Sequence, residues 1–190
     1  MISRAPVAVF VAVGLTLLAG CSDDPAASDG STGADTDVTI CEPDGTAQAD
    51  DDLPAVSSVA TAMADLEAAL GAPQQYFEVN ATARLVNLWV ALNDGALAQP
   101  WVWVDGELSS DEGQAAGGGT FTAADVGFDA DTVLDQVRTE VPDAILETFY
   151  IHGDGEGNVQ YSLLTSARCG GGLDVVLGAD GSVKSVDPVN

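Results

Sequence analysis

Apolar residues along this chain follow two periods, and the switch between them marks the elements. Val56, Val59, Met63, Leu66 and Leu70 recur at steps of three and four, the stripe of one helix face. Asp52 stands where an N-cap would, Gly71 where a left-handed C-terminal residue would, and Pro73 bars continuation. The period then becomes two. Phe77, Val79, Ala81 and Ala83, followed by Val86, Leu88, Val90 and Leu92, alternate with Glu78, Asn80, Thr82 and Asn87 and predict two strands. Trp101-Val102-Trp103-Val104 runs into Asp105-Gly106, a hairpin signal, before Glu107-Leu108-Ser109. The Gly-rich residues 110–119 read as a flexible connection.

The order then returns. Asp129 is the expected N-cap of a second helix, with Phe128 placed to staple against Val133. Val133, Leu134, Val137 and Val141 form its apolar stripe, and Pro142 ends it. Strands are predicted at Ile145–His152, Val159–Arg168, Asp174–Gly178 and Ser182–Val186, with turns at Asp154-Gly155 and Asp180-Gly181. Both halves thus read helix, two long strands and a short hairpin, and WVWVDGELS matches VVLGADGSVKS. The pattern predicts an α+β fold of two tandem helix-plus-antiparallel-sheet repeats with a period of about 75 residues, the helices packed on one face of the sheet. The repeats occupy residues 53–109 and 128–190, with an inter-repeat loop at 110–127. In its order of elements the body resembles secreted β-lactamase-inhibitor proteins and PepSY-like periplasmic domains. Those families bind or inhibit, so the resemblance implies a binding function; it carries no contact residue onto this chain.

Residues 1–20 read as a leader rather than as part of the body. Arg4 is the only charged side chain before Asp23, and Pro6 to Gly20 is apolar but shorter than the roughly 20 residues a spanning helix needs. Leu18-Ala19-Gly20-Cys21 resembles the lipobox of bacterial lipoproteins, with the polar Ser22-Asp23-Asp24 after it. The resemblance implies that Cys21 carries a diacylglycerol thioether and becomes the mature N-terminus. It also implies an extracytoplasmic protein held to the cell membrane by its acyl chains, since two or three chains anchor firmly where one does not. The alternative for Cys21 is an ordinary thiol after a conventional cleavage site.

Charge sharpens this picture. The 190 residues carry 30 acids, five Lys or Arg and one His, for a net charge of −25. Such a surface repels nucleic acid and anionic headgroups alike, so no nucleic-acid partner is expected and the body should stand off the membrane. Residues 21–52 contain ten acids, no base and many small polar residues, the composition of an extended, disordered acidic tether. Adaptation to a saline habitat accounts for the excess of Asp; recognition of a cation is the alternative. With Cys21 acylated, Cys41 and Cys169 are the expected disulfide pair, worth about 2–4 kcal/mol and pinning the tether to the body.

Candidate chemistry is sparse. His152 is the only imidazole, zinc would lack ligands, and neither a nucleophile elbow nor a phosphate loop is present, so neither catalytic residues nor a cofactor is assigned. Asp154-Gly-Glu156-Gly-Asn158 lacks the distal Glu of a calcium loop and reads as a turn. The strand alternation instead suggests a binding face. With Phe77, Val79, Val86, Leu88, Val90, Val102 and Val104 toward the helices, the opposite face carries Tyr76, Glu78, Asn87, Trp89, Trp101 and Trp103, joined by Tyr150, His152, Gln160 and Ser162. Trp and Tyr bury large areas with few rotors, so this face would bind a protein or envelope component, or alternatively a small lipid or cell-wall fragment. A one-residue shift of register would turn the same Trp residues toward the helices, and the 110–127 loop is a further possible cover.

Overall fold

The computed structural model describes residues 46–168 and 170–189. The leader, Cys21, Cys41, Cys169 and most of the acidic segment lie outside the described residues, and with them the lipidation and disulfide assignments.

Short 3-10 turns at Asp50–Asp52 and Val56–Ser58 lead into helix α1, Val59–Leu70. Pro54 and the second turn delay the helix, so its N-cap position falls at Ser58 rather than Asp52, and no side chain caps it. Gly71 ends it as expected, at φ 77°, with its N–H donating to the Glu67 carbonyl at 2.9 Å. Helix α2 spans Ala130–Glu140, and its N-cap is Asp129, whose Oδ1 accepts from the Asp131 N–H at 3.0 Å.

The strands are β1 (Gln75–Ala81), β2 (Val86–Leu92), β3 (Leu97–Val104), β4 (Glu107–Ser110), β5 (Gln114–Ala115), β6 (Phe121–Thr122), β7 (Ala144–Gly153), β8 (Val159–Ala167), β9 (Gly172–Leu177) and β10 (Val183–Val189). All ten belong to one antiparallel sheet, ordered β10-β9-β8-β7-β1-β2-β3-β4, with β5 beside β3 and β6 beside β1.

This corrects the expected α+β fold of two tandem helix-and-sheet repeats. The protein is mostly one large antiparallel sheet with two short helices. The correction follows from edge chemistry. Two separate sheets would each leave an unpaired strand edge where β1 and β7 now bond to each other, with Val79 opposite Ile151 and Ala81 opposite Phe149. Across that seam one apolar cluster joins Met63 and Leu66 of α1, Val133 and Val137 of α2, and Leu88, Phe149, Ile151, Leu163 and Val175 of the sheet. We call the face under the helices inner and the opposite face outer.

β1 and β7 are staggered, and each overhang has its own cover. At one end β6 pairs with Gln75 and Tyr76, and Gly119 bridges Gly153. At the other, the Gln48 carboxamide stands in for a strand. Its Nε2 donates to the Leu146 carbonyl and its Oε1 accepts the Leu146 N–H, both at 2.8 Å. Arg138 donates to the Gln48 carbonyl at 3.4 Å and pairs with Asp50 at 3.5 Å, while Arg168 donates to the Thr46 carbonyl. Residues 46–52, assigned by composition to the tether, are thus fastened to the body by two of its side chains, Arg138 and Arg168, and by two of their own, Gln48 and Asp50.

Candidate functional site

The two faces have different chemistry. Cross-strand register places Tyr76 opposite Val90, Trp101 opposite Leu88 and Trp103 opposite Val86, all on the inner face. These three were expected on the binding face, and two local features move them. A bulge between Tyr76 and Glu78 shifts the alternation of β1, so Tyr76 points inward with Val79. The turn joining β2 to β3 leaves four residues, Asn93 to Ala96, between the paired Leu92 and Leu97. It is held by positive φ at Asn93, Asp94 and Gly95, and it sets odd-numbered residues of β3 beside even-numbered ones of β2. Val102 and Val104, expected under the helices, therefore face outward.

The inner aromatic residues are tied into the core. Trp103 donates from Nε1 to Asp65 Oδ2 of α1 at 2.8 Å, and Trp101 packs against the apolar cluster. Tyr76 is fully buried, its ring 5.9 Å from Phe121 and its hydroxyl donating to Glu67 Oε1 at 3.3 Å. Burial raises its phenol pKa far above the ordinary value, with the Glu67 charge and hydrogen bond adding to the shift.

Trp89, Tyr150 and His152 are on the outer face, and register arranges them in rows. One row across the strands reads Pro100, Trp89, Glu78, His152, Gln160. The next reads Val102, Asn87, Asn80, Tyr150, Ser162, Val176. A third carries Thr148, Leu164, Asp174 and Asp187. Carboxamides knit the rows together. Asn87 Nδ2 donates to Asn80 Oδ1 at 2.7 Å, Asn80 Nδ2 to Glu78 Oε1 at 2.6 Å, and His152 Nε2 meets Gln160 Oε1 at 3.1 Å.

Curvature of this face makes a concavity of about 500 Å³, lined by Glu78, Tyr150, His152, Ser162, Leu164, Asp174 and Val189. It holds two carboxylates, the Tyr150, His152 and Ser162 side chains and an apolar wall, and no Lys or Arg. The Tyr150 phenol pKa is raised, chiefly by burial and then by the Glu78 charge, with Asp174 and Glu147 adding and the Thr148 hydroxyl opposing. Asp174 and Leu164 were not singled out in the sequence, although alternation against the buried Val175 would have placed Asp174 outward. A larger concavity, about 770 Å³, lies between residues 46–49 and the turn of Thr82 to Leu85, with Arg84 and Arg168 on its rim.

The Asp154 turn closes on itself. Asp154 Oδ1 accepts the Glu156 and Asn158 N–H groups at 2.7 and 3.0 Å, and Oδ2 accepts from Asn158 Nδ2 at 2.8 Å. Among the described residues no group of three His, Cys, Asp or Glu side chains is placed to hold a metal, and no helix is long and apolar enough to cross a membrane. Comparison with protein-family models, curated proteins and solved structures found no match to the chain.

Proposed function

We propose that the protein is a non-enzymatic, lipid-anchored binding protein of the extracytoplasmic face, with Cys21 as the acylated residue and the outer sheet face as the binding surface. One observation carries the reading. Both helices pack on the inner face, while the outer face sets Trp89, Tyr150 and His152 among carboxamides around a concavity. Trp and Tyr beside amide donors and acceptors supply both contact area and orientation for a partner, which we take to be a protein or another component of the envelope. The concavity supports a second reading, a small ligand, because about 500 Å³ falls within the range of small-molecule sites.

Photo-crosslinking in intact cells tests the surface. Benzoylphenylalanine is substituted at Gln160, on the outer face, and separately at Gln136, on the exposed side of α2. The expected result is a discrete adduct from Gln160 and none from Gln136. Equal adducts from both positions, or none from Gln160, would overturn the reading. In the same cells Cys21→Ser should abolish palmitate labelling and release the protein from the membrane; labelling that persists would remove the anchor.

A further inference from the structure

The strap at residues 46–52 borders a space of strand dimensions. β1 stops at Ala81, opposite Phe149, while β7 continues past it to Ala144. Beside this overhang, between residues 46–49 and the turn of Thr82 to Leu85, lies the concavity of about 770 Å³. A strand takes about 4.8 Å across a sheet and about 10 Å through it, at roughly 3.3 Å per residue, so the space holds about five extended residues. Residues 41–45 are the five that precede Thr46, itself on the wall of the concavity.

Charge and reach agree with length. Arg84, one of four bases after Cys21, is exposed on the rim. It pairs with no carboxylate among the described residues, although Asp52 and Glu147 line the same concavity. Residues 41–45 bring Glu42 and Asp44 to it, and Pro43 suits the apolar wall of Ala83, Leu85 and Ile145. At the far side Arg168 donates to the Thr46 carbonyl, and the residue after Arg168 is Cys169. The five steps from Thr46 back to Cys41 reach up to roughly 17 Å, so Cys41 can meet a residue beside that arginine.

We propose that residues 41–45 occupy this concavity and that a Cys41–Cys169 disulfide fastens them there. In forming it, two thiols become one disulfide while the disulfide of an extracytoplasmic oxidoreductase becomes two thiols, so both electrons and both protons pass to the oxidoreductase. The covalent bond makes seating of the segment an intramolecular event, with a high effective concentration at Arg84. It also fixes the length of the tether at the 20 steps from Cys21 to Cys41, a reach of at most roughly 70 Å. The disulfide rests on the extracytoplasmic reading.

The test uses the full-length protein, purified from membranes in non-ionic detergent without reductant, its free thiols blocked with iodoacetamide. Peptide mass mapping should find Cys41 joined to Cys169 within one chain. A protease that cuts before Asp then reads the seating, with Asp37 as internal reference. Relative to the same two sites in a synthetic peptide of residues 30–50, cleavage before Asp44 should be about tenfold slower than before Asp37, because it follows the unseated population. Arg84→Glu should remove most of that difference, and Glu42→Lys in the same chain should restore part of it. Lys184→Glu, on β10, should leave it unchanged. Alkylated thiols at both positions, a bond joining two chains, or no slowing at Asp44 would overturn the proposal, as would equal effects of Arg84→Glu and Lys184→Glu. If both thiols are free while Cys21 still takes palmitate, the disulfide falls and the anchor stands; loss of palmitate as well removes the extracytoplasmic reading.

Discussion

Trp103 joins helix to sheet through one indole hydrogen bond to Asp65, on a ring packed against the core. Trp103→Phe keeps most of the ring and loses the bond, so it should cost about 1 kcal/mol, whereas Trp103→Ala should cost about 3 kcal/mol or more. Trp89 lies half-buried on the outer face, and Trp89→Ser should cost less than Trp103→Ala in the same urea titration. Equal costs would mean that the outer face is as much a part of the core as the inner one. Protons report the turns in the same way. The Thr122 hydroxyl holds the Asp125 carboxyl below its usual range, Asn158 does so for Asp154, and the Ser182 hydroxyl for Asp180. A lowered folded-state pKa adds stability that is complete above the ordinary Asp value and is lost as pH falls through the folded one. Carboxyl titration by NMR should therefore give midpoints for these three below about 3.9; midpoints at or above it would refute the turn bonds. Tyr76 works in the opposite direction. Its raised pKa means that above pH about 10 the unfolded chain releases a proton the folded chain keeps, so stability falls with rising pH.

At the scale of elements, the connection read as flexible is a tight crossing. A Cβ on Gly119 would lie 2.2 Å from the Gly155 backbone nitrogen and 2.9 Å from the Gly153 carbonyl carbon. Backbone cannot yield as a side-chain tip can, so Gly119→Ala should destabilise by about 1–3 kcal/mol, while Gly117→Ala, with open space around it, should be nearly neutral. Denaturant midpoints of the two variants check this, and equal midpoints would contradict the crossing. The same elements show what was legible beforehand. Helix periodicity located α1 and α2, and alternation located the long strands, because each pattern is local. Tyr76, Trp101 and Trp103 were assigned to the wrong face because a bulge and a four-residue turn each shift alternation by one step. Gln48 gave no signal at all: its composition is that of a tether, and its role depends on a β7 overhang set by the pairing of β1 with β7.

At the scale of the molecule, joining β1 to β7 turns two expected units into one sheet with one core and one long outer face. The outer rows that make the candidate site exist only because of that seam: Glu78 meets His152, and Asn80 meets Tyr150, across it. The individual strands were readable, but the pairing between halves depends on which edges remain open, and no local pattern encodes that. The acidic surface favours solvation and a body held away from anionic headgroups. Against that background, the proposed binding surface is the extended face that the helices leave open. Hydroxyl-radical footprinting of the full-length protein, in its native envelope and after purification, tests this most directly. The account predicts that labelling of Trp89, Tyr150 and His152 falls several-fold in the envelope while that of Leu134 on α2 and Leu70 at the end of α1 stays the same. Equal labelling of the outer face in both preparations would contradict it.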